Sequence, residues 1–203
     1  HGITESGRSW EPVTERLAGQ FQVVVPDLRG HGQSAAVAPY DLATMAGDLA
    51  AVITECGLTD VRLVGHSLGG AVVSALAGVM GVHSVINVDQ SLRLDEFQAG
   101  LQAAAPMLRD ENTFGAVISA LFDDMAGTAL DPAERARIES HRIPTQSVVL
   151  GVWHDVIESS PDDLKALVEA TASAVTAPYL SLFGIDPGDD YADWFTGLVP
   201  SAT

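Results

Sequence analysis

Cysteine is nearly absent from this 203-residue chain: Cys56 stands alone. A single thiol excludes an internal disulfide framework and suits a reducing cytoplasm, where we expect the protein to reside. Basic residues are scarce as well. Ten Lys and Arg face 27 Asp and Glu, a net charge of -17, and that sign excludes the phosphate backbone of DNA or RNA as a natural partner. Charge of either sign is missing from 63–88, long enough to span a bilayer. That stretch nevertheless holds His66, His83, Asn87, several serines and five glycines, so it reads as a buried strand-helix-strand, with no membrane span. Zinc-ligand spacings of the HExxH or CxxC kind are lacking too, and neither metal nor cofactor is expected.

What is present is an apolar composition, 47% of residues, enough for one sizeable core with an appended layer. Inside the uncharged stretch lies Gly65-His66-Ser67-Leu68-Gly69, preceded by Val61-Arg62-Leu63-Val64 and followed by Gly70-Ala71-Val72-Val73-Ser74-Ala75. This is a strand, a sharp turn and a small-residue helix with a serine at the bend. Such a bend needs tiny residues two before and two after the serine, and Gly65 and Gly69 fill those places. It lifts the hydroxyl off the sheet edge and aims the following backbone N–H groups at the same spot. The plainer reading is a glycine-rich loop that opens a helix and binds an anion; the strand and helix framing the motif favour a nucleophile.

Short apolar runs at 22–26, 61–64, 84–88 and 180–183 read as buried strands. Helical patterns cover 42–53, 67–80 and 164–175, the last opened by Ser160-Pro161. Alternating strands and helices predict an α/β protein with a mainly parallel sheet flanked by helices. Residues 91–159 break the alternation, with several helical patterns and no convincing strand. Phe114, Val117, Ile118, Leu121, Phe122 and Met125 make an apolar stripe, Asp131-Pro132-Ala133-Glu134 starts a capped helix and Pro144 closes the next pattern. The stripe is expected to pack on the sheet layer, and a helical layer beside the serine would also wall a pocket. The predicted division is a core of 1–90 with 160–203 and a helical cap of 91–159.

Three separated motifs together resemble the α/β-hydrolase fold from end to end. The elbow at Ser67 is one. His1-Gly2-Ile3, followed by Ser9-Trp10, is similar to the family's loop after its third strand, and Asp27-Leu28-Arg29-Gly30-His31-Gly32-Gln33-Ser34 looks like its D-x-R-G-x-G-x-S turn after the fourth. The resemblance implies that the core is incomplete at both ends, with strands expected before His1 and a catalytic histidine beyond Thr203. It also implies an oxyanion hole from the backbone N–H groups of Ile3 and Leu68. The family order is nucleophile, acid, histidine. Asp186, in an Asp-Pro pair, stands where the acid is usual, although two residues past Gly184 where three is common; Asp89, after the preceding strand, is the rival, otherwise serving to tie down its loop. Asp189, Asp190 and Asp193 are read as decorating a short helix through Tyr191 and Trp194.

Among the histidines, His1 and His31 are expected to order their turns. His66 is directed away from the pocket, His83 opens a strand, and His141 and His154 are packing or surface residues. The function implied is a serine hydrolase cleaving a carboxylic ester, or a related amide, thioester, lactone or carbon-carbon bond, in an apolar small-molecule substrate through an acyl-enzyme on Ser67. The alternative is a hydrolase-like ligand-binding protein with little or no turnover. A purely structural partner-binding domain explains neither the elbow nor the loop at Ile3. Oligomeric state is not legible in the sequence.

Overall fold

The computed structural model describes residues 1–126 and 131–203. Three parallel strands form its sheet in the order β1 (Arg62–His66), β2 (Ser84–Val88), β3 (Tyr179–Leu182). Arg62 is paired with Ser84 through to His66 with Val88, and Val85 with Tyr179 through to Val88 with Leu182. Valine, isoleucine and leucine suit these short strands because branched side chains pack well on a pleated surface. The chain at its far end joins the same sheet: Tyr179 and Ala202 form a parallel bridge, and Ser181 N–H donates to the Thr203 carbonyl at 2.9 Å.

The expected strand at 22–26 does not form. Val23, Val24 and Val25 are each more than a third exposed, and the open edge of β1 carries no further strand among the described residues. A β-branched run becomes a strand only when a neighbour completes its ladder.

After a short 3₁₀ turn (Gly7–Trp10), α1 (Glu11–Leu17) and α2 (Leu42–Glu55) precede β1. The central helix α3 (Leu68–Ala77) follows it and packs on β1, β2 and α2. α2 begins where Asp41 accepts the Thr44 N–H at 2.8 Å, satisfying one of the orphan amides of a first turn. Between β2 and β3 run α4 (Asp95–Arg109), α5 (Glu111–Ala126), α6 (Pro132–His141), α7 (Gln146–Val152), α8 (His154–Glu158) and α9 (Pro161–Ser173); α10 (Asp189–Leu198) follows β3. Asp131 caps α6 through the Ala133 and Glu134 amides, and Ser160 caps α9 through Asp163.

Two apolar cores meet at α3. Leu68 and Val72 join Ile3, Leu28, Leu101, Phe114, Val149 and Trp153, so one core unites the loops around Ser67 with the helices between the strands. Val73, Leu76 and Ala77 join Leu63, Val85, Tyr179 and Phe195 in the other. The predicted stripe of α5 is buried at Phe114 and Ile118 and partly at Val117, Leu121 and Phe122. Met125, near the helix end, is 54% exposed.

Candidate functional site: the bend at Ser67

β1 ends at His66 and α3 begins at Leu68, leaving one residue to reverse the chain. Ser67 does so at φ 50°, ψ -121°, a left-handed backbone that L residues enter only under strain, of order 1–3 kcal/mol. The bend is held on both sides: Ser67 N–H donates to the Val88 carbonyl at 3.0 Å and its carbonyl accepts from Ala71 at 3.2 Å. A methyl on Gly65 would lie 2.1 Å from the Gly69 carbonyl oxygen, so the strand end and the helix start touch backbone to backbone. Ser67 is half-buried and its hydroxyl caps nothing.

The His1-Gly2-Ile3 loop is seated on this turn. Gly69 N–H donates to the His1 carbonyl at 3.1 Å, and a methyl on Gly69 would come within 2.9 Å of that oxygen. His1 orders the loop: Nε2 accepts the Leu28 N–H at 2.9 Å while Nδ1 lies 2.9 Å from the Gly2 carbonyl, a pattern that a neutral ring protonated on Nδ1 satisfies. Among the described residues the amides of Ile3 and Leu68 donate no hydrogen bond; for Leu68 this follows from its place in the first turn of a helix. The Asp27 turn braces the same region, its carboxylate receiving the Gly7 and Gln33 amides at 2.7 and 2.8 Å. Arg29 beside it grips Asp48 with both Nε and Nη2.

Both candidate acids lie past strand ends on the edge that carries Ser67. Asp89 follows β2 at φ 57° and its Oδ1 accepts from Gly184 at 3.1 Å. Asp186 lies in the loop after β3, and its Oδ1 accepts from Gly188 at 2.9 Å. Both are exposed. Of the remaining histidines, His31 is buried 5.2 Å, ring to ring, from His1, and burial pushes its pKa down. His83 bonds Asp60 at 2.7 Å at the opposite end of the strands, while His141 is half-buried and His154 exposed. Among the described residues no three His, Cys, Asp or Glu converge as metal ligands, and no helix is long and apolar enough to cross a membrane.

The model of the alpha/beta hydrolase family matches residues 1–201. The chain belongs to that family. This α/β-hydrolase is similar to lipase LipV of Mycobacterium tuberculosis, 32% identical over 160 residues, which are 77% of this chain and 50% of the relative. It is also similar to 2-(acetamidomethylene)succinate hydrolase of Mesorhizobium japonicum, 30% identical over 148 residues, 69% of this chain and 52% of that one. The chain thus spans about half the length of these two curated relatives. The crystal structure of the enol-lactonase from Burkholderia xenovorans LB400 superimposes with a TM-score of 0.72 over 99% of this chain and 78% of that one at 18% identity, a likeness of fold.

Beside the elbow of this α/β-hydrolase lies a group that no motif in the sequence singles out. Glu5, only 8% exposed, takes the Gly2 N–H at 3.2 Å and the Ser9 hydroxyl at 3.0 Å on Oε2, with His66 Nδ1 at 3.7 Å, an ion-pair distance. Burial alone would raise its carboxyl. The interaction with His66 and the hydrogen bonds from Ser9 and Gly2 outweigh burial and bring it from the ordinary 4.5 down to about 2. Because the folded value lies below the unfolded one, the contribution to stability is complete above the unfolded value and is lost as pH falls through the folded one. Denaturant unfolding followed through that acid range is expected to show this loss, and Glu5→Gln is expected to flatten it.

Proposed function

We propose that this protein hydrolyses carboxylic esters, or a closely related acyl bond, through an acyl-enzyme on Ser67. The observation that carries the reading is the backbone at Ser67: a strained bend, kept between two glycines, with the amides of Leu68, the next residue, and of Ile3, in the loop seated on the turn, donating no hydrogen bond among the described residues. In this reading Ser67 Oγ attacks the carbonyl carbon while a general base takes the hydroxyl proton. The developing oxyanion is met by the N–H groups of Ile3 and Leu68, each of a kind worth about 3 to 4 kcal/mol in the transition state. Collapse of the tetrahedral intermediate expels the alcohol, which leaves with the proton from the base. Water then adds to the acyl group with the same base taking its proton; the carboxylic acid departs and the serine hydroxyl is restored.

The base is proposed to be a histidine that follows the acid in chain order. Asp186 is the proposed orienting acid and Asp89 its rival. Residues 91–159 are proposed as a cap: α4, α5 and α7 bury Leu101, Phe114 and Val149 in the core that holds Ile3 and Leu68, which favours an apolar acyl substrate. The reaction so drawn needs no cofactor. The exposed free thiol of Cys56 is the ground for proposing a cytoplasmic location, and the net charge of -17 for proposing no nucleic-acid partner.

The test is covalent labelling of the full-length gene product by a fluorophosphonate, with the site read by peptide mass spectrometry, alongside release of chromophore from short-chain aryl esters. Labelling at Ser67 with concurrent loss of turnover is expected. Absence of both, with small apolar ligands still bound, would replace this reading with that of a binding protein.

A further inference from the structure

The roles assigned above leave Glu5 unused, although its buried carboxylate is the most heavily engaged side chain around the elbow. One oxygen holds the Gly2 N–H and the Ser9 hydroxyl and faces His66, the residue before Ser67. The other lies 3.8 Å from Nη2 of Arg142, just past the end of α6. The Arg142 guanidinium is 4.1 Å from the centre of the Phe122 ring on α5, and its buried Nε has no hydrogen-bond partner among the described residues. The next residue, Ile143, donates its N–H to the Thr4 carbonyl at 2.8 Å. The turn itself is closed by Glu5 N–H on the Gly2 carbonyl at 3.2 Å, with Thr4 at φ 66°.

Ile3 is therefore fastened on both flanks. Gly2 before it is held by Glu5, and Thr4 after it by the stretch of chain that leaves α6. We propose that Glu5 is a positioning residue that sets the Ile3 amide relative to Ser67, and that Arg142 and Ile143 make this setting depend on how the helices between β2 and β3 are seated. The inference rests on the reading of Ser67 and Ile3 given under the proposed function. Its physical basis is the rigidity of a charge buried among several donors. A buried ion pair adds little net stability, because desolvation offsets the attraction, but losing one partner leaves the other without compensation. What the arrangement secures is position, and catalysis is sensitive to position: a shift of about 1 Å at a reacting group is worth about 100-fold in rate.

The experiment uses the full-length protein with Glu5→Gln and Arg142→Gln, singly and combined, measuring kcat and KM on a short-chain aryl ester together with hydrogen exchange of the amides at 2–5. Glu5→Gln is expected to lower kcat about 10- to 100-fold with KM changed by no more than about 2-fold, and to speed exchange of those amides. Arg142→Gln should act in the same direction, and the double variant should be no worse than Glu5→Gln alone, because both act through one contact. Glu5→Asp keeps the charge, is a methylene too short, and should not restore the rate. Unchanged kcat in Glu5→Gln, or losses in the two single variants that simply multiply, would overturn the inference. If the unmodified protein hydrolyses no ester, the reading of Ser67 falls; the exchange data still decide this one, and unaltered exchange at 2–5 in both single variants overturns it. Should Glu5→Gln not fold, Arg142→Gln decides the question alone: slower turnover with faster exchange at 2–5 supports the inference, and no change in either overturns it.

Discussion

Ser67→Ala is expected to lower kcat on a short-chain aryl ester by about 10⁴-fold or more while leaving the fold intact. The two halves of that outcome have separate causes. The hydroxyl is the proposed nucleophile, so no neighbouring group replaces it. The fold is indifferent to it, because the half-buried side chain caps no helix and the bend at φ 50° is held by backbone hydrogen bonds to Val88 and Ala71. Ser67→Gly sharpens the point: it removes the same hydroxyl and relieves the left-handed strain, so it should be inactive and at least as stable as the parent. Asp186→Asn should cost less than Ser67→Ala yet still several orders of magnitude, as loss of the orienting carboxylate does in comparable triads. Asp89→Asn is its control. Asparagine tolerates the positive φ of that position and still offers Oδ1 to Gly184, so a large loss there would reflect the missing charge and would move the acid to Asp89. Steady-state kinetics of the variants, with thermal melts, check the series.

The parts of this molecule legible in its sequence are those specified within a few residues. The elbow is local: a valine-rich strand, a glycine on each side of a serine, then small residues that permit a helix to lie on the sheet. α9 is legible from Ser160-Pro161 because a cap and the first turn it closes are three residues apart. β2 at Ser84–Val88 has the expected bounds, and β3 is displaced by one residue. The 22–26 run shows the limit of local reading. Val23, Val24 and Val25 have strand composition, but a strand is a pairing and no local pattern supplies the neighbour. Glu5 shows the same limit at the site. It is one of 27 acidic residues, and what distinguishes it is contact with His66 and Arg142, far along the chain. The available signal is a lone carboxylate between Gly2 and Trp10, close behind the His1-Gly2-Ile3 motif. Its importance becomes visible only when the turn past α6 closes over it.

Gly65→Ala is the substitution expected to do the most structural damage for the least added volume. The new methyl would stand 2.1 Å from the carbonyl oxygen of Gly69, 2.3 Å from its carbon and 2.6 Å from the Gly70 amide. A flexible side chain in that position would swing aside; these are main-chain atoms of the first turn of α3. To make room, α3 must shift along its axis or the bend at Ser67 must open. Either movement breaks the Ser67 bond to Val88 and the Gly69 bond to His1, and so dismantles the loop at Ile3 at the same time. Overpacking usually costs about 1–3 kcal/mol where neighbours can adjust. Here they cannot, and a loss above about 4 kcal/mol is expected, a large share of the roughly 5–15 kcal/mol that holds an ordinary domain together. Gly100→Ala in α4 and Gly115→Ala in α5 provide the contrast. Among the described residues a methyl at either position meets nothing within 4 Å, and alanine is the better helix former, so each should gain up to about 1 kcal/mol. Denaturant unfolding of the three variants separates the cases: destabilisation at Gly65 no greater than at an open helical glycine would mean that the strand end and the helix start are not in backbone contact, and the bend at Ser67 would lose its physical cause.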